Sequence, residues 1–183
     1  MGVDPTDEDL FAAYAAGDVR AFETLFRRYQ GPLGRHLARI LDGDHAAAED
    51  LVVETFLRLH RHRHHFRQGT SLRPWIYTIA RNLARNRRRG ERLWALVPLA
   101  ALDRSEATEA HTHRDELERR VTAAFTTLPS AQREACSLRL LAELTLEEIA
   151  QVTGVSVGTV KSRVFYGLRK LRVLLADFAP GAG

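Results

Sequence analysis

Cysteine is almost missing from this chain. Cys136 is the only one in 183 residues, which excludes an internal disulfide and any cysteine-cluster metal site. No run approaches the roughly 18 apolar residues of a membrane helix, and no basic-then-apolar leader opens the chain. A cytoplasmic protein without membrane insertion is therefore expected. No glycine-rich phosphate loop, no H-E-x-x-H and no nucleophile–base set occurs, so neither an enzyme nor a bound cofactor or metal is expected. Lysine is scarce, two against 25 arginines, and acids nearly vanish from residues 58–92, where eleven arginines meet the single Glu91. The net charge is only +4, so the basicity is local. A block of that kind predicts a polyanion partner, because neutralising phosphates releases counterions.

What is present reads as helix throughout. Hydrophobic residues make up 45% of the chain, enough for packed cores in one medium domain or two small ones. Thr6 followed by Asp7, Glu8 and Asp9 starts a first helix, and Gly17-Asp18 ends it and caps a second. Gly31-Pro32 is expected to kink or divide that second helix. Gly43-Asp44 opens a third, in which Leu51, Val52, Thr55, Phe56 and Leu59 face inward. Asp50, Glu54 and Arg58 form a charged strip at i, i+4 spacing on its other side.

The next helix places Leu72, Trp75, Ile76, Ile79, Ala80 and Leu83 on an apolar stripe. Its opposite face carries Arg73, Tyr77, Arg81 and Arg85, with Asn82 beside them, and Phe66 stands in the loop before it. Exposed rings among arginines suit unpaired bases and phosphates, since stacking a base on such a ring contributes roughly 1–3 kcal/mol.

Residues 93–115 change composition, from an apolar run with a proline to an acid-rich stretch, and are expected to be a linker between residues 1–92 and 116–183. A helix resumes near Asp115 with Leu117, Val121, Ala124 and Phe125 inward, and Leu128-Pro129-Ser130 interrupts it. From Thr145 to Leu175 the pattern is a helix-turn-helix. Thr145 and Glu148 make a capping box, Gly154 turns the chain, and Ser156 caps a second helix with Val160, Val164, Leu168, Leu171 and Leu175 buried. Thr159, Lys161, Ser162 and Arg163 are left on the outer surface, where a recognition helix meets the major groove. The fold class expected is all-α, two small helical domains joined by a linker. Four histidines (His60, His62, His64, His65) invite a metal reading, but no carboxylate or thiolate joins them at ligand spacing. Cys136 reads as a small core residue.

Three motifs in register, EDLVxETF (49–56), WIYTIARN (75–82) and LPxxQRE (128–134) ahead of TLEEIAxxxGVSxGTVKSR (145–163), resemble regions 2 and 4 of extracytoplasmic-function sigma factors. The resemblance implies a transcription initiation factor that binds core RNA polymerase, at its clamp helices and flap, and directs it to promoter DNA. It implies that the helix carrying Asp50, Glu54 and Arg58 docks on the clamp. Phe66 and Asn82, with Arg73, Tyr77, Arg81 and Arg85 around them, would capture flipped minus-ten bases. The helix beginning at Ser156, through Thr159, Lys161, Ser162 and Arg163, would read the minus-thirty-five element. The linker would thread toward the active-site cleft and RNA exit channel, and an anti-sigma factor is a further candidate partner. Two departures stand out. Val53 replaces the family's usual glutamine, and Phe165-Tyr166-Gly167 replaces a His-Arg-Ala-like run, with a mid-helix glycine expected to cost about 1 kcal/mol against alanine. The competing reading is a two-domain helix-turn-helix regulator that is not a polymerase subunit. An interaction module that keeps the fold without promoter use is a third.

Overall fold

The computed structural model describes residues 4–66, 69–94 and 113–176, and every regular element among them is helical. Local chemistry sets most boundaries. Helix α1 (Asp7–Ala15) begins at a reciprocal box: the Asp9 N–H donates to Thr6 Oγ1 at 3.1 Å and the Thr6 N–H to Asp9 Oδ2 at 3.2 Å. Gly17 at φ +109° makes the turn that a side chain would resist, and Asp18 caps α2 (Val19–Ile40) by accepting from the Arg20 N–H at 2.9 Å. Asp44 caps α3 (His45–Arg61) through the Ala47 N–H at 2.9 Å. Helix α4 (Leu72–Trp94) takes its cap from elsewhere in the chain, for the Leu72 N–H donates to Glu8 Oε1 of α1 at 2.8 Å.

Of the kink or division expected at Gly31-Pro32, the division does not occur. Helix α2 runs unbroken through Pro32 for 22 residues. An interior proline costs about 3 kcal/mol in an isolated helix, but Leu25, Tyr29, Leu33 and Leu37 bury one continuous stripe on both sides of it. Packing of that stripe holds the helix together where local propensity would part it.

The second half contains α5 (His113–Thr126), α6 (Ser130–Leu140), α7 (Leu146–Thr153) and α8 (Val157–Leu174). Of the expected linker, residues 95–112 lie outside the described residues; Leu93 and Trp94 continue α4, and α5 starts two residues before Asp115. Leu117, expected inward on α5, is exposed, whereas Ala124 and Phe125 are buried as expected.

The two halves pack on each other. One apolar cluster runs from Leu25, Leu37 and Ile76 of the first half to Leu138, Leu144 and Ile149 of the second. Polar pairs cross the same boundary. His36 Nδ1 on α2 lies 2.5 Å from Ser137 Oγ on α6. Arg39, almost wholly buried, donates to Glu118 Oε1 at 2.8 Å and Thr122 Oγ1 at 2.6 Å, and its guanidinium sits over the Phe125 ring. Arg81 on α4 donates to Glu134 Oε1 on α6 at 2.8 Å, and Arg133 pairs with Asp42. The arrangement is closed, with α2 against α6 and α4 against α7.

Candidate nucleic-acid and polymerase interfaces

The helix-turn-helix forms as its sequence dictates. The Glu148 N–H donates to Thr145 Oγ1 at 3.1 Å and the Thr145 N–H to Glu148 Oε2 at 2.8 Å, closing the box at the start of α7. Gly154 takes the left-handed conformation at φ +71°, and Ser156 caps α8 by accepting from the Thr159 N–H at 3.2 Å. Val160, Val164 and Leu171 are buried, while Thr159, Lys161 and Ser162 are exposed on the first turns. The Ser162 hydroxyl bonds back to the Gly158 carbonyl at 3.1 Å, and Thr159 Oγ1 lies 2.9 Å from Ser156 Oγ. Lys161 therefore stands as the most open donor of the set, and Arg163 turns, half-buried, toward α4.

Gly167 is not a flaw in α8. A Cβ there would meet Cys136 Sγ at 2.3 Å, so only glycine allows α8 to lie this close to α6. Burial pushes the Cys136 thiol up to about 11, which fits the inert core role expected of it. Phe165 and Tyr166 are 60% and 56% exposed and meet edge to face. They add an aromatic patch beyond the first turns of the recognition helix.

The basic face of α4 differs from its sequence reading. Tyr77 is 1% exposed, with its ring edge-on to Tyr29 and His36 of α2. Burial raises the phenol and keeps it protonated. It is a core residue rather than a stacking platform. The reason is geometric: α4 is covered on two flanks, so its buried stripe is Leu72, Ile76, Tyr77, Ala80, Leu83 and Ala84, while Trp75 and Ile79 are only half-buried. Phe66 is half-buried, stacked on Trp75 at 5.5 Å and edge-on to Phe11 at 5.1 Å. Arg73 is half-buried, and Arg81 is held by Glu134. Asn82 and Arg85 are exposed. The sequence-derived cluster is thus split, two members open and four engaged.

On α3 the strip is as expected. Asp50 is exposed, and Glu54 accepts from Arg58 Nε at 2.8 Å with Arg61 at 3.9 Å. The hydrogen bond from Arg58 holds the Glu54 carboxyl below the usual carboxylate range. Val53 and Leu57 stand 52% and 45% exposed beside it, an apolar component that the charge pattern did not single out. Val53 also lines a groove of about 460 Å³ with Phe26, Gln30 and Gly34 of α2.

His60 has a structural partner, since its Nδ1 meets the Tyr14 hydroxyl. Among the described residues no group of three or more histidines, cysteines or acids could hold a metal, and no helix is long and apolar enough to cross a membrane. His36, which drew no attention in the sequence, is fully buried at the boundary of the halves. Burial and the charge of Arg81 lower it to about 3, and its Nε2 has no hydrogen-bond partner among the described residues.

Comparison with known proteins supplies the family. The model of sigma-70 region 2 matches residues 25–93 and that of sigma-70 region 4 matches residues 124–173. The RNA polymerase sigma factor CarQ of Myxococcus xanthus is 36% identical over 165 residues, covering 88% of this chain and 92% of that protein. The ECF RNA polymerase sigma factor EcfG of Rhodopseudomonas palustris is 37% identical over 158 residues, covering 81% and 85%. The sigma factor RpoE of Bartonella quintana, solved in complex with the anti-sigma factor NepR, superposes with a TM-score of 0.67 at 25% identity over 88% of this chain and all of that one. With both conserved regions in order and the helix-turn-helix in place, the chain belongs to the extracytoplasmic-function RNA polymerase sigma factors and serves in transcription initiation.

Proposed function

We propose that this sigma factor divides its work between two surfaces that the free chain does not offer equally. Residues 1–92 carry core-polymerase binding and minus-ten recognition, and residues 116–183 carry minus-thirty-five recognition. The α3 strip of Asp50, Glu54 and Arg58, with the apolar shoulder of Val53 and Leu57, is the polymerase contact. Asn82 and Arg85 reach minus-ten DNA first. Arg81 joins them once the second half has moved away from α4, Phe66 once its ring leaves Trp75 and Phe11, and Arg73 stands half-buried beside them, while Tyr77 supports that face from within. Ser156, Thr159, Lys161, Ser162 and Arg163 on α8 read the upstream element. The protein melts promoter DNA without catalysis, by capturing unpaired bases and so shifting the duplex–open equilibrium. It works in the cytoplasm, and an anti-sigma factor, the kind of partner with which the Bartonella relative was solved, is a partner that would bind the closed or partly opened chain.

The observation that carries this reading is the solvent-reaching charged strip on α3, with Asp50 exposed and Glu54 and Arg58 half-buried, coexisting with a side-chain-capped helix α8. A duplex-binding regulator needs only the second. Asp50→Arg combined with Glu54→Arg should abolish run-off transcription with purified core polymerase and weaken core binding, while the helical spectrum stays unchanged. Wild-type transcription from the double variant would favour the regulator instead.

A further inference from the structure

Between α4, α6 and α8 lies a cleft of about 330 Å³, within the size range of small-molecule sites. Five arginines line it: Arg81, Arg85 and Arg88 from α4, Arg133 from α6 and Arg163 from α8. Two acids answer them. Glu134 pairs with Arg81, and Asp42 is shared by Arg88 and Arg133. Arg85 and Arg163 have no ion-pair partner among the described residues, and Arg133 Nε is buried without a hydrogen-bond partner. The cleft also receives the first residues of α6, Ser130 and Ala131, and that 11-residue helix has Pro129 at its cap with no side-chain hydrogen bond. An uncapped helix start contributes partial positive charge of its own.

We propose that this cleft binds a small polyphosphate anion, of the class of inorganic tripolyphosphate or the phosphate chain of a nucleotide. Three features favour several linked phosphates over one. The unanswered charges, Arg85 and Arg163, come from opposite halves of the chain, so a ligand must span them. Guanidinium groups donate to phosphate oxygens in a bidentate fork, which a row of arginines repeats along a chain of phosphates. The α6 N-terminus supplies a third positive point. Because the walls belong to both halves, the cleft exists only while they are packed together. A ligand bound there stabilises the closed arrangement by linkage. The proposal concerns binding by the free chain and stands independently of the division of labour among the DNA surfaces.

The test is calorimetric titration of the intact chain with sodium tripolyphosphate, orthophosphate and sulfate at constant ionic strength. Tripolyphosphate should bind one to one and about tenfold or more tighter than either single anion, since each charge-assisted pair adds at least that factor. Arg85→Ala and Arg163→Ala should each weaken it by about tenfold. Arg85→Lys and Arg163→Lys, which keep charge but lose the fork, should fall between. Helical spectra check each variant; if an alanine variant loses helix, the lysine pair decides. A fluorophore pair placed on the two halves should keep its closed distance to a higher urea concentration as tripolyphosphate saturates. Equal affinity for orthophosphate, dependence on only one of the two arginines, or binding with no gain in resistance to opening would each overturn the proposal. So would a short DNA strand that binds with the same dependence on both arginines and displaces tripolyphosphate, since the cleft would then be a seat for DNA phosphates.

Discussion

Helices α4 and α8 carry the two proposed DNA surfaces, and they stand in opposite conditions. On the outer face of α8, Thr159, Lys161 and Ser162 are exposed, with none of the described residues covering them. The basic face of α4 is engaged from both sides: Arg81 is tied to Glu134 of the second half, and Tyr77 is sunk among Tyr29 and His36 of the first. The chemistry explains why one sequence builds both. A duplex-reading helix needs only an open donor set, whereas a surface that holds unpaired bases is half apolar and finds apolar cover when no bases are present. In the closed chain the proposed contact residues of α8 are open, and most of those of α4 are engaged.

The pair Arg81–Glu134 is the place to break that asymmetry. Both side chains are about 15% exposed, so leaving one of them unpaired costs more than at the surface. Glu134→Lys sets two cations face to face and should open the halves by about 2–4 kcal/mol. The fluorophore distance should lengthen, and a single-stranded minus-ten oligonucleotide should bind the free chain more tightly. Adding Arg81→Glu should restore closure. An unchanged distance in Glu134→Lys would mean that the apolar cluster alone holds the halves.

Gly167 sharpens the other side of the comparison. Recognition by α8 requires the helix to stay fixed on α6, and there a Cβ would collide with Cys136 Sγ. Gly167→Ala gains about 1 kcal/mol of helix propensity yet should destabilise by about 1–3 kcal/mol net, the range for overpacked cores. Cys136→Ala in the same chain removes the colliding sulfur and should return most of the loss. Urea unfolding of the four chains measures the coupling, and simple additivity would show that the helix shifts without strain.

Acid should act on closure alone. In the closed chain His36 is neutral, held near 3 by burial and by Arg81, while an exposed histidine titrates near 6.5. Its contribution to closure is complete above about pH 6.5 and falls as pH drops from there toward 3, by about 1.4 kcal/mol per unit. At pH 5.5 the opening constant should rise about tenfold, and His36→Gln should flatten that dependence in the fluorophore signal. Lys161-dependent duplex binding by α8 should not follow the same curve.

How much of this was legible in the sequence depends on distance along the chain. The caps at Thr6, Asp18, Asp44, Thr145 and Ser156, and the turn at Gly154, were readable because each closes within three residues. The α3 strip was readable because its members lie one helical turn apart, at i, i+4. Pro32 does not divide α2, because its effect is local and the stripe that overrides it is not. Tyr77 misled because a helix period reveals one buried side, and α4 has two. His36 with Ser137 and Arg39 with Glu118 join positions 101 and 79 residues apart. No spacing within one helix announces such pairs, so closure itself became visible only in three dimensions. Phe165-Tyr166-Gly167 looked like three departures and separates into two exposed rings and one glycine required by its neighbour.

The smallest effects belong to single open side chains, and they distinguish the two helices most directly. Lys161→Ala should weaken binding of holoenzyme to closed duplex promoter and reduce the salt dependence by about one phosphate's share, because its ammonium is exposed on the first turns of α8. Asn82→Ala should leave duplex binding nearly unchanged and slow opening, since an unpaired base exists only after the stack is broken. Asn82 is a cleaner probe than Phe66, whose ring also packs on Trp75 and Phe11, so that its loss would disturb the fold as well. A mismatched bubble across the minus-ten region supplies the unpaired bases in advance. It should rescue much of the Asn82→Ala defect and little of the Lys161→Ala defect, as read by permanganate footprinting on matched and bubble templates. If both variants respond to the bubble alike, α4 and α8 meet the same form of DNA. The difference in their burial would then reflect packing rather than a division between duplex and melted strand.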